Sequence, residues 1–113
     1  MSGDFSQESS KIQEIQILEH TLNQILMQKQ AFDFELQETE SALTELDSSG
    51  DDVYKIIGQL MLKTSKSLVK EELENKKKIL ELRTKNLEKQ ENQINDKIDS
   101  LKKDIPEFSG EKL

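Results

Sequence analysis

Few residues in this sequence are of types that do covalent or metal chemistry. The 113 residues include one histidine and no cysteine. A Ser/His/Asp or Cys/His set needs its histidine placed among partners, and His20 falls two positions after an apolar seam residue, on the solvent side of a helix. No HExxH or ExxH pattern includes it, so the helical metal sites of those kinds are not called for. The run Asp47-Ser48-Ser49-Gly50-Asp51-Asp52 starts like a calcium loop, but its sixth position is Asp52 rather than Gly and its twelfth is Gly58 rather than Glu. Lys76-Lys77-Lys78 is a basic run on a helix that also carries Glu72, Glu74 and Glu81, which reads as a solvated or partner-facing surface rather than a nucleic-acid site. No phosphate-cradling glycine loop is present, and the expectation is a protein with no enzymatic activity and no cofactor.

What the chain has in place of a chemical site is a framework. It is 33% hydrophobic and 35% charged, with 4% aromatic residues and a mean hydropathy of −0.75. A globular domain of this size carries about 45–50% apolar and about 25% charged residues, so the interior per residue must be small. No apolar run approaches the ~20 residues of a membrane span, and the first residues lack a basic-then-apolar leader. With cysteine absent, a cytoplasmic protein with neither a membrane nor a nucleic-acid partner is expected. Residues 1–52 carry 12 acidic and 2 basic groups, and residues 53–113 carry 11 acidic and 14 basic. The net charge of −7 is thus −10 followed by +3, a division that favours laying one half along the other.

Periodicity says how. Ile15, Leu18, Leu22, Ile25, Lys29, Phe32, Leu36, Thr39, Leu43 and Leu46 recur at 3-4 spacing, eight of the ten apolar. Leu73, Lys77, Leu80, Thr84, Leu87, Glu91, Ile94, Ile98, Leu101 and Ile105 repeat the pattern, seven of the ten apolar. Each is the seam of a coiled coil. A capping box at Ser10 and Gln13 and the turn-rich run from Asp47 predict a first helix over 11–47. Ser67 as N-cap, with Glu71 and Glu72 near the positive helix end, and Pro106 as terminator predict a second over 67–105. The fold expected is mainly α: a long antiparallel two-helix coiled coil, with flexible tails at 1–10 and 106–113. Two registers align the seams, with paired residue numbers summing to about 116 or about 123. The second is favoured, because it sets Leu22 against Leu101, Leu36 against Leu87 and Thr39 against Thr84. Either brings Lys29 and Glu91 within one layer, as a polar pair that fixes register.

The connector, Val53-Tyr54-Lys55-Ile56-Ile57-Gly58-Gln59-Leu60-Met61-Leu62-Lys63-Thr64, is β-branched and apolar and breaks at Gly58-Gln59. It reads as a short β-hairpin over 53–64 with apolar residues on both faces, Val53 and Ile57 on one, Tyr54 and Ile56 on the other. A lone hairpin is marginal in water and leaves both edges unpaired. Helices occupied with each other cannot cover it, so other subunits must.

Over residues 11–105 the sequence resembles the β subunit of archaeal-type prefoldin, the co-chaperone family that hands unfolded proteins to group II chaperonins. The likeness is most specific over Val53–Thr64, with its Tyr-Lys, Gly and Lys-Thr positions, and extends to Gln28-Lys29-Gln30 and Lys89-Gln90-Glu91. One hairpin implies a β-type subunit. The resemblance implies a hexamer of two α-type and four β-type subunits whose hairpins assemble into inter-subunit β-barrels. Val53, Tyr54, Ile56, Ile57, Gly58, Leu60, Met61 and Leu62 would form that assembly surface. Both chain termini would then lie at the free end of the coiled coil, where Ile12, Ile15, Leu18, Leu101, Ile105, Phe108 and Phe5 can meet an unfolded client. Ile15, Leu18 and Leu101 also belong to the seam, which buries them. Ile12, Ile105 and Phe108 lie where fraying exposes apolar surface, and Phe5 and Phe108 equally suit tails. The partners implied are an α-type prefoldin subunit, unfolded polypeptides and a group II chaperonin. The alternative is a coiled-coil scaffold that tethers other proteins.

Overall fold

The computed structural model describes residues 2–105, with side chains from residue 7 onward. In chain order it contains helix α1 (Ser2–Ser48), strands β1 (Val53–Ile57) and β2 (Leu60–Thr64), and helix α2 (Lys66–Lys103). The chain divides into two compact units, Met1–Lys29 with Asn86–Leu113, and Gln30–Lys85.

In the first unit α1 and α2 pack through Ile15, Ile98 and Ile105, with Ile12, Leu18, Leu22, Ile94 and Leu101 around them. Ile25 and Leu87 are buried in the same unit. In the second, the buried residues are Thr39, Leu46 and Leu80. Every one of the buried residues lies on the two 3-4 rows read from the sequence, because that spacing keeps one stripe of each helix facing its partner. Thr39 is tolerated there because its hydroxyl donates to the Glu35 carbonyl oxygen at 2.7 Å.

The helix limits differ from the expectation. α1 begins at Ser2, not near Lys11. Ser10 lies inside the helix, and no proline precedes it to stop the helix propagating towards the N-terminus. α2 begins one residue early, at Lys66, because the N-cap is Ser65 rather than Ser67: its Oγ accepts the Leu68 N–H at 3.2 Å. The first turn of α2 contains no acidic residue, and Glu72 serves the hairpin instead. At the other end α2 stops at Lys103, and the chain tightens through Asp104 N–H to Leu101 O and Ile105 N–H to Lys102 O, both 3.1 Å.

The register is also corrected. In the first unit Ile15 is clustered with Ile98 and Ile105, with Leu22, Ile94 and Leu101 against them, while Lys11 reaches Asp104. In the second, Asp47 reaches Lys70. The five ion pairs between the two helical segments, with Lys29–Glu91, Glu14–Lys97 and Glu19–Lys102 beside these two, sum to between 111 and 121 and centre on about 117, so the seams meet nearer 116 than 123. The hairpin explains the choice. Its paired residues, from Val53 with Thr64 to Ile57 with Leu60, all sum to 117. A two-residue turn returns the chain to the level it left, and the helices inherit that level.

Candidate interaction surfaces

The hairpin is built on a turn that needs its glycine. Gly58 has φ 61°, while no other residue among those described has positive φ, so Ile57-Gly58-Gln59-Leu60 has the φ pattern of a II′ turn. A Cβ at Gly58 would meet nothing within 4 Å; the requirement is conformational, not steric crowding. The base of the hairpin is stitched to the helices. Lys66 Nζ donates to the carbonyl oxygens of Ser49 at 3.0 Å and Asp47 at 3.4 Å, which satisfies acceptors left open where α1 ends. Ser49 Oγ adds a 2.7 Å bond to the Leu46 carbonyl oxygen. Lys55 on β1 pairs with Glu72 on α2 at 2.8 Å, and Lys63 on β2 with Asp52 at 3.3 Å.

Strand alternation then sorts the side chains. One face presents Ile57, Leu60 and Leu62, and the opposite face presents Tyr54, Ile56 and Met61, all six exposed. Ile56 is 70% exposed, and Val53 at the base is half-buried. Ten strand residues thus hold six uncovered large apolar side chains divided equally between two faces, while β1 and β2 form a sheet of two strands with no third strand among the described residues. A surface of this kind marks an interface. Fully burying such side chains is worth about 1.5–3 kcal/mol each. Six of them, each roughly half to two-thirds exposed, offer on the order of 6–11 kcal/mol to an assembly, before the cost of association.

The residues expected at the opposite end fall in the first unit. Leu18 and Leu101 are half-buried and Ile15 is buried, as seam positions require, and Ile12, beside the seam, is half-buried against the same cluster. Ile105 is a correction: it is 0% exposed, the most enclosed side chain of the cluster, rather than uncovered by fraying. The tight turn after Lys103 folds it back onto Ile15 and Ile98. Phe108 and the side chain of Phe5 lie outside the described residues. Lys11 with Asp104, Glu14 with Lys97 and Glu19 with Lys102 flank the cluster at 3.6–4.0 Å.

Lys29 and Glu91 interrupt the seam as the sequence suggests. Lys29 Nζ donates to Glu91 Oε1 at 2.9 Å, each side chain 23% exposed. A half-buried, hydrogen-bonded pair of this kind serves registration more than stability. Sequence reasoning did not single out Thr84 as a defect. Its Oγ1 is buried and has no hydrogen-bond partner among the described residues. His20 is exposed and near Gln24 at 3.4 Å, and no group of three or more acidic or histidine side chains among the described residues is placed to hold a metal ion. No helix among the described residues is long and apolar enough to cross a membrane.

Two seam-paired helices joined by a single two-stranded hairpin with uncovered faces define a coiled-coil hairpin subunit. Comparison with known proteins makes the class specific. Residues 9–111 match the family model of prefoldin subunits, and the chain belongs to that family. Its similarity is to β subunits. It is 39% identical over 101 residues to the prefoldin subunit beta of Sulfurisphaera tokodaii, covering 88% of this chain and 81% of that one. With the corresponding subunit of Methanothrix thermoacetophila the identity is 32% over 114 residues, covering 98% and 95%. The crystal structure of the prefoldin beta subunit from Thermococcus strain KS-1 matches with a TM-score of 0.82 at 36% identity, over 88% of this chain and 89% of that one. The chain is therefore a prefoldin-type chaperone subunit with the single-hairpin fold.

Proposed function

We propose that the chain is an ATP-independent co-chaperone subunit that binds unfolded polypeptides at the ends of its coiled coil and passes them to a group II chaperonin. The observation that carries this reading is the hairpin with three exposed apolar side chains on each face. Such a hairpin calls for barrels shared between subunits, and family membership favours two α-type with four β-type chains. Assembly supplies the rest of the mechanism. Each copy brings one apolar end cluster, comprising Ile12, Ile15, Leu18, Leu101 and Ile105, with Phe108 following in sequence. Several weak sites on one platform hold a non-native chain by avidity, without sequence specificity. Because Ile105 and Ile15 are covered at rest, capture requires the last turns of the helices to open, and helix ends are where such opening costs least. The cytoplasm suits a chain with no cysteine to oxidise.

The test is suppression of aggregation of chemically unrelated denatured proteins. Removing residues 1–12 together with 106–113 should weaken protection while the oligomer mass is unchanged apart from the deleted residues. Equal protection by the truncated oligomer would show that the ends do not bind clients. One saturable partner, with indifference to denatured proteins, would mark a scaffold.

A further inference from the structure

The apolar cluster around Ile15, Ile98 and Ile105 reaches inward as far as Leu22 and Ile94. Near the 116 alignment Leu22 stands opposite Ile94, and the seam residues outward of them, Ile15 and Leu18 on α1 and Ile98, Leu101 and Ile105 on α2, are all apolar. Inward of them the seam changes character. Glu91 comes next on α2, and Lys29 follows Ile25 on α1; the two are joined at 2.9 Å with each side chain 23% exposed. Ile25 and Leu87 beside them are buried but stand apart from the cluster. The division of the chain into two compact units falls at the same place, between Lys29 and Gln30 and between Lys85 and Asn86. In the second unit the first seam position of α2 is Thr84, whose buried Oγ1 has no hydrogen-bond partner among the described residues.

Local opening spreads through contiguous apolar packing, and a layer whose polar groups gain water on separating couples its two sides only weakly. Glu91, Lys29 and Thr84 are groups of that kind. Inward of them the helices are joined covalently through the hairpin and held by Lys66 on the Ser49 carbonyl oxygen and by Lys70 on Asp47. Outward of them nothing but the cluster and three exposed ion pairs keeps the helices together. We infer that the seam outward of Lys29 and Glu91 is a binding site closed on itself: it opens as one piece back to that pair, and its apolar residues, Leu22 and Ile94 included, take an apolar segment of an unfolded polypeptide. The inference rests on the reading that the ends of the coiled coil bind clients, and it carries the opening from the last turns inward to a fixed limit. An unfolded segment fits because each freed stripe offers apolar side chains at 3-4 spacing in place of its lost partner helix. Glu14 and Glu19 border one stripe and Lys97 and Lys102 the other, so segments of either charge are served.

The absence of cysteine lets engineered disulfides lock the seam at chosen layers. Full-length Leu22→Cys/Ile94→Cys closes the outer stretch, and Leu36→Cys/Leu80→Cys closes a layer inward of the Lys29–Glu91 pair. Each is assembled with the remaining subunits, oxidised, and assayed for suppression of the aggregation of guanidine-denatured citrate synthase. The outer lock should cut protection about fivefold, with reduction returning most of it, and the inner lock should leave protection within about twofold. Loss with both locks overturns the limit at Lys29 and Glu91. Retention with both overturns the opening itself, whereas the reading that the ends bind clients fails only if removal of residues 1–12 and 106–113 also leaves protection intact. Thiol labelling reads the opening without a client, and decides where a lock fails to form. Ile98 and Leu80 are enclosed alike, at 5% and 3% exposure, so a single Ile98→Cys should label about tenfold faster than a single Leu80→Cys. Equal rates overturn the inference. Lys29→Leu with Glu91→Leu should slow the labelling of Ile98→Cys about tenfold by making the apolar layers continuous, and an unchanged rate overturns the role of the pair as the limit.

Discussion

Ile57→Asp separates assembly from folding. Ile57 sits beside the turn, opposite Leu60 on the face that also holds Leu62, and it is 53% exposed. None of its neighbours on that face belongs to the seam. In a subunit interface the isoleucine would contribute roughly half of a full burial, about 1–1.5 kcal/mol. The aspartate loses that and must also be stripped of water in an apolar surface, at an effective cost of roughly 3 kcal/mol or more. The sum, about 4–5 kcal/mol for each contact, weakens association roughly a thousandfold. Native mass spectrometry of the complex should then show small species at concentrations where the unaltered chain is fully assembled.

Circular dichroism supplies the second half of the experiment. Helices α1 and α2 span 47 and 38 residues, against ten in the strands, so the far-ultraviolet signal reports the helices. It should persist in the dispersed species, because the residues that pair the helices lie outside the hairpin. An oligomer of unchanged mass would refute the argument that the hairpin is the assembly element. Loss of the helical signal would refute the argument that the seam holds the helices independently of it.

Three further substitutions probe single causes. Gly58→Ala forces an L residue to φ 61° and should destabilise the hairpin by about 1–2 kcal/mol, read as a lower dissociation temperature of the oligomer, whereas an unchanged temperature would mean the turn can rearrange. Thr84→Val removes a buried hydroxyl with no partner at nearly constant shape and should raise stability by about 1 kcal/mol in urea unfolding; a loss would show that the hydroxyl is satisfied. Replacing Lys29 or Glu91 alone by leucine should cost about 1–3 kcal/mol, while replacing both should recover most of the loss and allow slipped helix pairings, detectable as a broadened unfolding transition in a double-mutant cycle.

The sequence made the seams and the hairpin legible for different reasons. Seam residues such as Ile15, Leu80 and Ile98 are set by a period that no other arrangement explains. The hairpin limits at Val53 and Thr64 follow from β-branched runs about a glycine turn. Register was harder because periodicity admits any shift of one layer: matching like with like, Leu22 with Leu101 or Thr39 with Thr84, favours 123. The decisive signal was present in Gly58-Gln59, because residues symmetric about that turn sum to 117 and only the 116 alignment agrees with it. Ile105 was misread for another reason. Its place near the end of a helix suggested exposure, but the two tight hydrogen bonds after α2 return it to the seam. The start of α1 is a third kind of case: a capping pattern at Ser10 is only a local preference, and continuing helix overrides it.

The charge division of the sequence is only partly consumed within the chain. Its first half has two basic residues, Lys11 and Lys29, which pair with Asp104 in the turn after α2 and with Glu91 of α2. In return Glu14, Glu19 and Asp47 of α1 meet Lys97, Lys102 and Lys70. Glu35, Glu38, Glu40 and Glu45 make no ion pair among the described residues, although α2 offers Lys76, Lys77, Lys78 and Arg83 in the same unit. Pairing of the two helices therefore does not explain why so much negative charge is concentrated over residues 30–48. Surface ion pairs add little to the stability of one subunit, but unpaired surface charge steers encounters between subunits and penalises wrong neighbours. Raising ionic strength should consequently slow assembly more than it lowers the unfolding temperature of the isolated helices. Stopped-flow light scattering beside thermal denaturation would compare the two, and equal sensitivity would assign the acidic half to helix pairing after all.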